Sequence, residues 1–118
     1  MTVKEAYAIM DADYDDAIGR LLSDARIYKY NKKFEINEDY KILKKSLDEK
    51  DYETAFRMAH NLKGMCLNLS FKGLHEVSDI ICEELRGGNP GPDVYAMFDK
   101  VTEKYDQVMA GIALMEEA

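Results

Sequence analysis

Apolar residues recur along the chain in steps of three and four, separated by short polar or glycine- and proline-containing breaks. No segment alternates with the two-residue period of a strand, so the pattern predicts helices throughout. The first helix is expected over residues 2–10, with Val3, Ala6, Tyr7, Ile9 and Met10 as its apolar positions. Asp11 or Asp13 can cap a second, over 13–22, which presents Ala17, Ile18, Leu21 and Leu22. Ser23-Asp24 reads as a break and a new start. A third helix then runs to Phe34 with Ile27 and Tyr28 or Tyr30 inside and Lys29, Lys32 and Lys33 outside. Asn37 or Asp39 can cap a fourth helix, in which Tyr40, Leu43 and Leu47 form the apolar line, and Lys50-Asp51 is a turn with Asp51 as the next cap. The fifth is expected over 52–69. Ser70 is the expected cap of a sixth, whose stripe is Phe71, Leu74, Val77, Ile81 and Leu85. Gly87-Gly88 end that helix, and Asn89-Pro90-Gly91-Pro92 form a loop. Asp93 caps the last helix, whose seam is Val94, Met97, Val101, Tyr105, Val108, Ile112 and Met115. The expected fold is all-α: an antiparallel up-down four-helix bundle over about 37–116, with short N-terminal helices at 2–34 packed on it.

The fifth helix divides unlike the others. At about 100° per residue, Glu53, Phe56, Arg57, His60, Lys63, Gly64 and Leu67 fall within roughly 60° of the His60 direction. Ala55, Met58, Leu62, Met65, Cys66 and Leu69 fall on the opposite, core-forming side. A solvent-facing imidazole is a nucleophile near neutral pH. Lys63, at i+3, puts a positive charge on the same face, which suits an anion attached to the ring. Gly64 costs about 1 kcal/mol in a helix interior relative to alanine, so bare backbone beside the histidine points to something bulky that approaches it. Together these residues describe a histidine that takes a phosphoryl group delivered by another protein. Phe56 and Leu67 either pack against the N-terminal helices or, with Asn61, form a docking surface for that protein, with Arg57 as a rim charge.

Ala59-His60-Asn61-Leu62-Lys63-Gly64, followed by Asn68-Leu69, resembles the signature of the histidine phosphotransfer (HPt) domain, A-H-x-L-K-G-x-x-x-N-L-G. The resemblance implies a four-helix bundle that relays a phosphoryl group between aspartates of response-regulator receiver domains, with a hybrid histidine kinase as a further potential partner. It implies that His60 is the phosphoacceptor through Nε2, that Lys63 assists electrostatically and that Gly64 leaves room for the receiver. It also implies a phosphocarrier with no cofactor of its own, the Mg²⁺ belonging to the receiver. Two positions depart from the pattern: Ser70 stands where the family has glycine, and Met65-Cys66 replace small residues. The alternative is a helical adaptor of the same fold that binds a response regulator without being phosphorylated.

Composition narrows the remaining classes. A chain of 118 residues, 47% hydrophobic, supports one domain with a core. The longest apolar run, 108–115, is far below the roughly 20 residues that span a bilayer, and Met1-Thr2-Val3-Lys4-Glu5 lacks the pattern of a secretory leader. A cytoplasmic monomer is expected. The net charge of −7 argues against nucleic acid as a partner, and Lys29, Lys32 and Lys33 read as a solvated helix face. Cys66 and Cys82 are expected to pack as small apolar groups, and the spacing of His60, Cys66, His75 and Cys82 does not match a zinc site. No phosphate-binding glycine loop precedes a catalytic lysine, so autonomous kinase activity is excluded, and Asn61 stands where a sensor kinase would carry an acidic residue.

Overall fold

Side chains cap four of the helices, at Thr2, at Ser23 and at the expected Asp13 and Asp51. The Glu5 amide donates to Thr2 Oγ1 while Glu5 accepts from the Thr2 amide, and the amides of Asp16, Arg26 and Thr54 donate to Asp13, Ser23 and Asp51. The computed structural model describes residues 1–118 and contains seven helices: α1 (Val3–Ile9), α2 (Tyr14–Leu21), α3 (Asp24–Glu35), α4 (Asp39–Asp48), α5 (Tyr52–Asn68), α6 (Lys72–Leu85) and α7 (Val94–Leu114). Neither expected residue is the N-cap of α4: Glu38 stands there without a side-chain capping bond, Asp39 is the first helical residue, and Asn37 Oδ1 accepts from the Asp39 amide at 2.8 Å from one position further out.

Helices α4 to α7 form the bundle. α5 packs between α4 and α6, and α7 packs on α6. The apolar lines of the sequence meet in one core, where Leu43, Leu47, Leu62, Leu74, Ile81, Leu85, Val101, Val108 and Ile112 are fully enclosed. Each contributes about 2 kcal/mol by leaving water. α4 and α7 close the bundle through aromatic side chains. Tyr40 stacks on Tyr105 with centroids 3.8 Å apart, lies 5.5 Å from Phe98 and shares a hydrogen bond with Thr102.

The N-terminal helices cover one end of this bundle. Phe34 of α3 packs edge-on against Phe71 and beside Tyr105. Tyr7 of α1 is fully buried; its hydroxyl donates to the Leu69 carbonyl at 2.8 Å and accepts from Asn31 Nδ2 at 3.0 Å. That chain of bonds ties α1 and α3 to the C-terminal end of α5. Gly111 and Gly73 are needed for the contact, because a Cβ at either would collide with the side chains of Met10 and Asp11. His60 lies eight residues before Asn68, about 12 Å along the helix, and the N-terminal helices leave its face open.

Three local expectations are corrected, and one buried polar residue was not foreseen. Leu22 is not part of α2's buried face: it adopts φ 77° beyond the helix end and is 70% exposed. Ser70 does not cap α6. It takes a left-handed conformation at φ 59°, and α6 starts at Lys72 after Phe71, which has no capping side chain. Glycine adopts that backbone without strain, whereas a residue with a side chain needs support. Here Ser70 is held from outside, its Oγ donating to Asp16 Oδ2 at 2.7 Å and its carbonyl accepting from the Asp13 amide. Asp93 precedes α7 but makes no side-chain capping bond. Asn31, on a helix read as amphipathic with a basic outer face, is fully buried.

Candidate functional site

Asp51 starts α5, accepting from the Thr54 hydroxyl at 2.7 Å and the Thr54 amide at 3.2 Å. Those bonds lower the Asp51 carboxyl below its ordinary range. Burial of Ala55, Ala59, Leu62 and Cys66 fixes the rotation of the helix. His60, Arg57, Asn61 and Gly64 are therefore exposed together, and Leu67 follows at 46% exposure. Cys66, on the hidden face, is free of any disulfide, and burial pushes its thiol well above the usual range.

His60 borders an open depression of about 610 Å³ lined by Phe56, Arg57, Met58, Asn61 and Arg86. The Phe56 ring lies 6.2 Å from the imidazole, centroid to centroid, and is half-buried. It packs against the core. The Arg86 guanidinium, which enters from the end of α6, lies 5.2 Å from its ring centre. Arg86 is itself bonded to Glu83 at 2.9 and 3.2 Å, which raises its pKa further. Arg57 donates to Thr54 Oγ1 at 3.2 Å.

Lys63 reaches across to α6. Its Nζ contacts Asp79 Oδ1 at 2.8 Å, with the side chains 30% and 45% exposed. The bond favours both charged forms, so the Lys63 pKa is raised and that of Asp79 lowered. Gly64 faces open space: a Cβ built there would meet nothing within 4 Å. Neither packing nor backbone geometry asks for glycine at this position. His75 is half-buried on α6, and no three His, Cys, Asp or Glu side chains come together as a potential metal site.

The structure thus brings Phe56, Arg57, His60, Gly64 and Leu67 onto one surface, as their spacing predicts, with the exposed Asn61 beside it and Lys63 at its α6 edge. Sequence reasoning missed Arg86 and Asp79. Both come from the neighbouring helix, and the periodicity of α5 carries no information about what flanks it. The antiparallel turn between α5 and α6 was the available signal, because it brings the end of α6 back toward the start of α5. A family model described as Hpt domain matches residues 33–111, which is 79 of the 118 residues and includes every one of these side chains. No curated protein and no solved structure matches the chain.

Proposed function

The chain belongs to the Hpt domain family, and from that premise we propose that it is a phosphorelay intermediate whose carrier residue is His60. Hpt domains act in two-component phosphorelays as phosphocarriers and interact with receiver domains of response regulators. In this reading an imidazole nitrogen of His60, Nε2 by resemblance, attacks the phosphorus of a receiver's aspartyl phosphate. An N–P bond forms, the P–O bond breaks, and its electron pair stays with the receiver's carboxylate. The reverse step on a second receiver unloads the chain. A monomer suffices for this, and the divalent cation is assigned to the receiver.

Phosphoryl transfer asks a protein chiefly for in-line positioning and charge stabilisation. Positioning is assigned to the exposed surface of Phe56, Asn61, Gly64 and Leu67, against which a receiver would seat. Arg57 and Arg86 supply positive charge at its rim, and Lys63 supplies it at the edge nearest α6. The observation that carries the reading is Gly64: an open, unconstrained glycine in a helix interior, one turn beyond an exposed histidine, is explained by a partner that needs the space.

The test mixes the protein with a receiver domain labelled on its aspartyl phosphate and compares it with His60→Gln. Acid-labile, base-stable label is expected on the wild-type chain only, with receiver binding retained by the variant. Binding without transfer across a panel of receivers would overturn the relay and leave the adaptor.

A further inference from the structure

Each cation bordering the His60 surface has a partner in the fold. Arg86, just past the end of α6, is bonded to Glu83 in the last turn of that helix, while Arg57 is engaged only by the neutral Thr54 hydroxyl on its own helix. Lys63 differs because its partner crosses between helices: Asp79 of α6 takes one of its three ammonium donors at 2.8 Å. The residue expected to face the phosphoryl group is thus held by a carboxylate that α6 fixes in place.

We propose that Asp79 is a positioning residue that holds Lys63 against α6 and shares its charge, limiting how tightly the chain retains a phosphoryl group on His60. The inference rests on the His60 reading. A carrier has to accept the group from one aspartate and release it to another, so a cation that bound the dianion too well would trap it. With Asp79 attached, Lys63 keeps two donors for phosphoryl oxygens while the pair as a whole is neutral. The transfer leaves the pair unchanged chemically. The imidazole lone pair forms the N–P bond, the receiver's carboxylate departs with its electrons, and neither Lys63 nor Asp79 gains or loses a proton.

Chemical loading with phosphoramidate separates this proposal from the relay itself, because it places the group on an exposed imidazole without a receiver. The second ionisation of the phosphoryl group is then followed by ³¹P NMR in wild type, Asp79→Asn, Lys63→Met and the double variant. Asp79→Asn, which keeps the side-chain shape, is expected to lower that ionisation by about 0.3 to 0.7 pH unit and to raise the equilibrium share on His60 against a phosphorylated receiver about two- to fivefold, the range of a partly exposed ion pair. The effect should fall by more than half in the Lys63→Met background. An unchanged titration and equilibrium in Asp79→Asn, or an equal effect with and without Lys63, would overturn the proposal. Failure of wild type to take label from any receiver, with the phosphoramidate-loaded titration behaving as expected, would overturn the relay and not the Asp79–Lys63 coupling. Failure of phosphoramidate to load His60 would overturn both.

Discussion

Gly64 and Lys63 flank the same histidine in sequence, yet the fold treats them differently. Gly64 sits where alanine would stabilise the helix by about 1 kcal/mol, and nothing in the fold requires its absence of a side chain. Gly64→Ala should therefore raise stability by about that amount in denaturant unfolding. Gly64→Leu should fold equally well and lower receiver transfer by about a hundredfold, the cost of displacing reacting groups by an ångström or so. Transfer by Gly64→Leu at the wild-type rate would remove the reason given for the glycine. The exposure of His60 and the openness of Gly64 were legible because helical spacing decides which side of α5 faces the core. The direction of Lys63 was not, since a long side chain at the edge of that face goes to whichever neighbour offers a charge, and that neighbour is Asp79, sixteen residues on.

At the scale of elements, all seven helices were readable from apolar spacing, and their starts at Thr2, Asp13, Ser23 and Asp51 follow from side chains that accept backbone donors. Asp51→Ala should cost about 1 kcal/mol through loss of the α5 cap, with the His60 surface otherwise intact. Its check is the unfolding midpoint measured beside receiver transfer. The corner between α5 and α6 was misread because serine after a helix suits a cap as well as a turn. Only the bonds to Asp13 and Asp16 show which role Ser70 fills. The Tyr7 hydroxyl marks the other join. Tyr7→Phe strands the Leu69 carbonyl and an Asn31 amide proton in the interior and should destabilise the fold by about 1 to 3 kcal/mol. A circular-dichroism unfolding curve coincident with wild type would show that this chain of bonds does not anchor the N-terminal helices.

For the whole molecule, the polar contacts set a pH window. Hydrogen bonds to Ser70, Thr54 and Lys63 depress the carboxyls of Asp16, Asp51 and Asp79. Their unfolded counterparts bind protons first, so this stability is complete above about pH 4 and is lost as pH falls through the depressed values. Burial raises Cys66 and Tyr7, so the unfolded chain releases their protons first and stability declines as pH rises beyond about 8.5. Denaturant midpoints should accordingly form a plateau between about pH 5 and 8 and fall on both sides. The bundle itself was legible from four consecutive amphipathic lines. The way α1 to α3 cover its end was less so, because it depends on two buried polar residues and on close approaches at Gly73 and Gly111 that no single helix announces. For the proposed relay, what matters is that this cover stops short of His60. The most direct test of the relay is to load the chain from a phosphorylated receiver, record the ³¹P spectrum, and then add a second receiver without its phosphoryl group. A single N–P resonance that requires His60 and disappears as the second receiver gains an aspartyl phosphate is the predicted result. A resonance on any other residue, or one that the second receiver cannot discharge, would contradict it.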